Sequence, residues 1–161
     1  MNDHLPLREA TLDDLAALVR HRRLMFVDMG LAEGKEPNVA DLALMESAYA
    51  EHLRQQMPAG ILHAWVIESP DGIVASGVLS IITWPPKPGD ISGRAGYLCS
   101  MYTEPAYRRR GLAQRIVLAA IDLCRSRTVG CLLLSASDAG RGIYESIGFR
   151  PWDTFMRLRI E

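Results

Sequence analysis

The spacing of hydrophobic positions changes several times along the chain, and those changes divide it into elements. Residues 7–10 form a short strand candidate. Thr11 is an N-cap candidate, with Asp13 and Asp14 in the first turn, where the helix dipole favours acids. Leu15, Leu18, Val19 and the run Arg22 to Phe26 keep helical spacing towards Met29 and Gly30, where glycine predicts a stop. Gly34 and Pro37 make 31–38 a loop. A second helix is predicted over 41–56, with Leu42, Met45, Tyr49 and Leu53 on one stripe.

After Pro58-Ala59-Gly60 the period shortens. Residues 61–68 and 73–83 read as strands joined by Ser69-Pro70-Asp71-Gly72, a hairpin turn signal. Prolines 85, 86 and 88 stiffen the following loop, because each fixes its own φ and restricts the residue before it. A strand over 95–103 is stopped by Pro105. The clearest helix is 111–127, where Leu112, Ala113, Ile116, Val117, Ala120, Leu123 and Cys124 oppose Gln114, Arg115, Asp122 and Arg125. A short buried strand at 131–135 precedes a helix capped by Ser137 or Asp138 and ended by Gly148 in the left-handed conformation. Residues 149–152 and 155–160 read as closing strands. The order β-α-α-β-β-β-α-β-α-β-β predicts an α/β fold, a mixed central sheet flanked by helices on both faces.

Bulk properties narrow the choices. A length of 161 residues suits a single domain, 1–161. With 48% hydrophobic and 23% charged residues the chain belongs with globular proteins, not disordered ones. A formal charge of −1 supplies no global field towards nucleic acid or an anionic membrane. Apolar runs such as Cys131-Leu132-Leu133-Leu134 are too short to span a bilayer. Cys99, Cys124 and Cys131 lack metal-type spacing and follow no leader-like segment, so reduced thiols in the cytoplasm are expected. His4, His21, His52 and His63 show no ligand spacing, and no metal is expected.

The chemistry concentrates between Gly96 and Val117. A strand breaks at Thr103-Glu104-Pro105, a basic turn follows, and Gly111-Leu112-Ala113 opens the long helix. The first-turn amides of a helix lack intrahelical partners and lie at its positive end. Small residues at 111 and 113 let a bulky anion approach them, and Arg108, Arg109 and Arg110 add charge-assisted bonds to phosphate oxygens.

The segment from Met101 to Ala113 resembles the central motif of the GNAT (Gcn5-related) N-acetyltransferase family, Gln/Arg-x-x-Gly-x-Gly/Ala, met by Arg108, Gly111 and Ala113. A second family motif is similar to Gly142-Ile143-Tyr144-Glu145-Ser146-Ile147-Gly148-Phe149, about thirty residues later. The resemblance implies a GNAT-like acyl-CoA N-acyltransferase fold and an acetyl-CoA-dependent N-acetyltransferase acting on a small-molecule or protein amine by direct transfer. The alternative is a non-catalytic acyl-CoA-binding sensor or regulatory protein on the same fold. A homodimer is compatible with either.

The same resemblance implies particular roles. The main chain of Met101 and Thr103 would pair with the pantetheine arm, and a free N–H near Met101 or Tyr102 would polarise the thioester carbonyl. Amides from Arg109 through Gly111, Leu112 and Ala113 to Gln114 would cradle the pyrophosphate, and Tyr144 would protonate the departing thiolate. Ser137 stands where many relatives carry a cofactor-contacting asparagine; its hydroxyl is either a substitute or a helix cap. Tyr97 occupies the place where relatives often carry a glutamate base. Glu104, a water relayed from Ser100, or a backbone carbonyl remain alternatives for that duty. For the acceptor, Met25, Phe26, Met29, Glu33, Glu36, Tyr49 and Trp84 offer aromatic faces and carboxylates suited to a cationic amine.

Overall fold

The computed structural model describes residues 5–152 and 154–160; His4 lies outside them. Five strands lie in sequence order across one sheet: β1 (Leu7–Glu9), β2 (Leu62–Ser69), β3 (Gly72–Thr83), β4 (Arg94–Thr103) and β5 (Leu132–Leu134). The first four are antiparallel neighbours, while β5 runs parallel to β4. That parallel pair needs a crossover, which α3 (Leu112–Ser126) provides. Helices α1 (Leu15–Ala32) and α2 (Val39–Gln56) cover one face of the sheet, α3 covers the other, and α4 (Asp138–Ile147) follows β5.

Strand β2 shows why two covered faces are needed. Leu62, Ala64 and Val66 enter the core beneath α1 and α2, while Trp65 and Ile67 enter the core beneath α3. Such a strand reads as a continuous apolar run, since neither side meets water. Helix α3 buries Leu112, Ile116, Val117, Ala120 and Cys124, the stripe its spacing predicts.

The helix boundaries reflect local capping. Thr11 and Asp14 form a reciprocal capping box around a short 3-10 turn that leads into α1. Arg8 fixes that turn, its Nη1 lying 2.7 Å from Asp14 Oδ2. Helix α1 passes Gly30 and continues to Ala32, because an interior glycine lowers helix propensity without forbidding it. Helix α2 begins at Val39, earlier than predicted, since the Asn38 side chain accepts hydrogen bonds from Ala40 N and Asp41 N.

The C-terminal expectation needs correction. No strand forms among the described residues of 149–160, where two were expected. Pro151 has no N–H to offer a ladder. Phe155 packs instead against Trp152 and Trp84, with ring centroids 4.7 and 6.2 Å away. The alternation of Met156, Leu158 and Ile160 with Arg157 and Arg159 supplied a strand pattern, but those apolar side chains stand exposed.

Candidate functional site

The site is built around a defect in β4. Register between β3 and β4 shifts between Ser76 and Val78, where Val78 faces Cys99 and Ser76 faces Tyr102. One extra residue on β4 is absorbed there as a bulge, with Ser100 at φ 52. Opposite it, Gly77 leaves the space that Met101 and Ile116 fill; a Cβ at 77 would overlap Met101 Sδ and lie 2.6 Å from Ile116 Cγ2. On the α1 and α2 side, Cys99 packs into the core and Ser100 meets Tyr49, so two successive side chains leave the strand on one face.

The bulge also changes which main-chain groups face outward. Before it, Gly96 donates its N–H to Cys131 O across to the β5 side, at 2.8 Å. After it, Glu104 donates to Val74 O on the β3 side, at 2.8 Å, so alternation turns Met101 and Thr103 outward. Strand β5 pairs only with Gly96 to Leu98 and does not follow β4 further. Beyond the bulge, β4 thus presents an unpaired edge ready to accept an added strand. The carbonyl of Thr103 is held by Arg108 Nε at 2.9 Å.

That edge leads into the predicted anion turn. Gly111 caps α3 at φ 75 and Arg109 sits at φ 60. An added Cβ at Gly111 would meet nothing within 4 Å, so the left-handed backbone, not crowding, calls for glycine here. Among the described residues the amides of Arg109, Arg110 and Gly111 donate to no other main-chain group, and the first-turn amides of Leu112, Ala113 and Gln114 point the same way. The arginines divide. Arg108 turns away, its Nη2 2.6 Å from Asp28 Oδ2, and that hydrogen bond holds its pKa above the usual value. Arg110 stacks over Tyr107 at 5.0 Å, and Arg109 stays exposed.

Tyr144 lines a cavity of about 1040 Å³ beside the β5 edge, together with Tyr97, Leu133, Phe149, Trp152 and Phe155. Burial holds its phenol proton above the usual pKa. Its hydroxyl has no hydrogen-bond partner among the described residues, and it lies back over Gly140, where a Cβ would approach its ring to 3.1 Å. Ser137 is a helix cap, its Oγ accepting from Gly140 N at 3.2 Å. Tyr97 is 39% exposed and faces this cavity, not the bulge.

On the opposite face, α1 and α2 bring together residues the sequence did not connect. Arg22 lies with its guanidinium 4.4 Å from the Tyr49 ring and 5.1 Å from that of Phe26. Its Nη1 donates to Ser100 Oγ at 2.6 Å, and Tyr49 donates to the same oxygen at 3.1 Å. Burial pushes the Tyr49 phenol up to about 12 and raises the Cys99 thiol, so neither is a base or a nucleophile near neutrality. The aromatic faces expected to receive a cationic amine are therefore already occupied by the chain's own cation. Glu33 pairs with Lys35, and Trp84 packs with Phe155 near β5, so neither joins this group. The spacing of Arg22 and Phe26, four apart on one helix, was the only available signal, and it is shared with ordinary helix packing.

His21, next to Arg22, is fully buried. Arg20 Nη2 donates to its Nε2 at 3.1 Å, which places the proton on Nδ1, donating to Ser76 Oγ at 2.8 Å. Burial first, then the Arg20 charge, pushes its pKa down to about 4, against the opposing pull of Glu104. Glu104 itself is held by Arg20 at 2.6 Å, which removes it from the open edge of β4. Among the described residues no cluster of metal-ligating side chains forms, and no helix is long and apolar enough to cross a membrane.

Comparison with known proteins agrees with this geometry. The profile of the Acetyltransferase (GNAT) family matches residues 33–149. A predicted acetyltransferase from Clostridium acetobutylicum, solved with acetyl-CoA, is 28% identical over 96% of each chain, with a TM-score of 0.86. A GCN5-related N-acetyltransferase from Ralstonia eutropha is also 28% identical, over 97% of this chain and 98% of its own, with a TM-score of 0.86. A glucosamine 6-phosphate N-acetyltransferase from Trypanosoma brucei brucei is 36% identical over 72 residues, which is 42% of this chain and 47% of that protein. This chain thus spans about half the length of that curated relative.

Proposed function

We propose that this chain, which belongs to the acetyltransferase (GNAT) family, transfers an acetyl group from acetyl-CoA to the nitrogen of an acceptor amine by direct attack. The observation that carries the reading is the junction of two open main-chain surfaces. The β4 edge at Met101 and Thr103, which no neighbouring strand covers, runs into the free amides at the start of α3. An extended amide-bearing arm fits the first, and a pyrophosphate fits the second. The Clostridium acetobutylicum structure, whose protein was solved with acetyl-CoA, supports the choice of donor.

Acetyl-CoA supplies the activated acetyl group; the chain supplies position and protons. The outward N–H of Met101, next to the bulge, would donate to the thioester oxygen and stabilise the charge that develops there. Amides 109–114 and the side chains of Arg109 and Arg110 would hold the phosphates. The amine nitrogen bonds to the carbonyl carbon, the C–S bond breaks, and sulfur takes a proton from the Tyr144 hydroxyl. The proton lost by the amine passes to solvent, and solvent reprotonates Tyr144. Ser137 can still donate its hydroxyl hydrogen, since the helix cap uses only its oxygen.

Calorimetric titration with acetyl-CoA, paired with hydrogen exchange, tests the reading. Binding at micromolar to low-millimolar concentration with protection of amides 109–114 is expected; folded protein that binds no acetyl-CoA would reject it. A non-catalytic acyl-CoA sensor is the second reading, favoured by Tyr97 in the base position and by the capture of Glu104 by Arg20. Binding without transfer to any amine would select it.

A further inference from the structure

The cations around α1 differ in one respect. Arg20 pairs with Glu104 at 2.6 Å, Arg23 with Glu46 at 2.9 Å, and Arg108 with Asp28 at 2.6 Å. Arg22 pairs with no carboxylate among the described residues, although it is the one that reaches the bulge, at Ser100. Its Nε is the buried side-chain atom left without a hydrogen-bond partner among the described residues. A buried, unanswered donor on a charged group is costly and calls for an explanation.

We propose that Arg22 anchors an oxyanion, a carboxylate or a phosphate, carried by the acceptor amine. The acceptor is then a small amino acid-like or phosphorylated amine, not a polyamine or a neutral amine. This rests on the acetyl-transfer reading and deepens it. Tyr49 and Phe26 hold the guanidinium plane, so its fork is set before any ligand arrives. Ser100 takes one of the five donors and the Nε–H is enclosed, so the remaining Nη donors are those left for the oxygens of an oxyanion. Ser100 is also adjacent to Met101, whose amide is assigned to the thioester. An anion held at Arg22 therefore brings its amine next to the acetyl group. A polyamine would instead place a second cation against the guanidinium, where like charges repel.

The test compares matched acceptors: glucosamine 6-phosphate against glucosamine, and amino acids against their amides. Steady-state acetyl transfer is measured for the native chain, Arg22→Lys and Arg22→Met. The anionic member of at least one pair should be preferred in kcat/KM by roughly 10- to 100-fold, the scale of a charge-assisted hydrogen bond. Arg22→Met should erase that preference by raising KM for the anionic member, and Arg22→Lys should keep part of it. The phosphate and carboxylate arms tell the two sources apart. Preference for neutral or polycationic amines, or a preference unchanged in Arg22→Met, would overturn the proposal, as would acetyl-CoA binding without transfer to any anionic amine. Failure to bind acetyl-CoA would instead reject the acetyl-transfer reading. Circular dichroism on both variants separates loss of the anchor from loss of the fold.

Discussion

Arg108 and Asp28 join the two sides of the site: the guanidinium Nη2 lies 2.6 Å from the carboxylate, tying the turn before α3 to α1. Both side chains are nearly half exposed, at 46% and 44%, so the ion pair contributes no more than about 1 kcal/mol to stability. The same guanidinium also holds the Thr103 carbonyl. Asp28→Asn is expected to leave the urea midpoint nearly unchanged. Arg108→Ala should weaken acetyl-CoA binding further than Asp28→Asn does, as read by calorimetry, because it releases the strand end as well.

Gly111 separates conformational strain from crowding. With φ 75 and open space around it, Gly111→Ala should cost about 1–2 kcal/mol from the left-handed backbone alone. Gly111→Asn should cost less, since asparagine tolerates that region better. Denaturant midpoints for the two variants check the order.

Gly77 is the opposite case, ordinary in backbone but crowded. Gly77→Ala should destabilise by about 1–3 kcal/mol, because the new methyl must displace Met101 or Ile116. In a double-mutant cycle with Met101→Ala, the pair should be less damaging than the sum of its parts. Additive losses would place the conflict elsewhere.

His21 makes stability depend on acidity. Its folded pKa is pushed from 6.5 down to about 4, so between those values the unfolded chain binds more protons than the folded one. Stability is then complete above the unfolded value and falls as the pH drops through that window, by at most about 1.4 kcal/mol per pH unit. In His21→Gln this part of the slope between pH 6.5 and 4 should vanish. Urea unfolding at several pH values measures it.

Tyr144→Phe removes the proposed proton donor and keeps the ring that packs on Phe149, 5.8 Å away. A fall in kcat of about 10²- to 10⁴-fold with little change in acetyl-CoA affinity is expected. Unchanged turnover would take Tyr144 out of the reaction.

The sequence revealed elements with a strong local cause and missed those set by partners far along the chain. The stripe of α3, the turn at Ser69 to Gly72, the glycine that opens α3 at 111 and the glycine that ends α4 at 148 all appear in the structure, each from spacing or φ preference. The geometry of the turn before α3 was legible because glycine, a basic run and a helix start are contiguous. Arg22 was not, since its meaning depends on Tyr49 and Ser100, one on another helix and one on a strand bulge. The bulge itself left no mark in the spacing of β4, and Gly77, which makes room for it, reads as an ordinary strand glycine. The tail misled for a related reason: alternation predicts a strand only where an edge is available to pair with it.

The bulge at Ser100 divides labour between main chain and side chain. On the outward edge of β4 the groups on offer are amides and carbonyls, which every residue type carries alike. On the inner face the same residues offer Cys99 and Ser100 towards α1 and α2, whose surfaces are made of replaceable side chains. Substitutions there can redraw the choice of amine without touching the backbone proposed to hold the donor. A fold arranged this way can change customers while keeping its supplier.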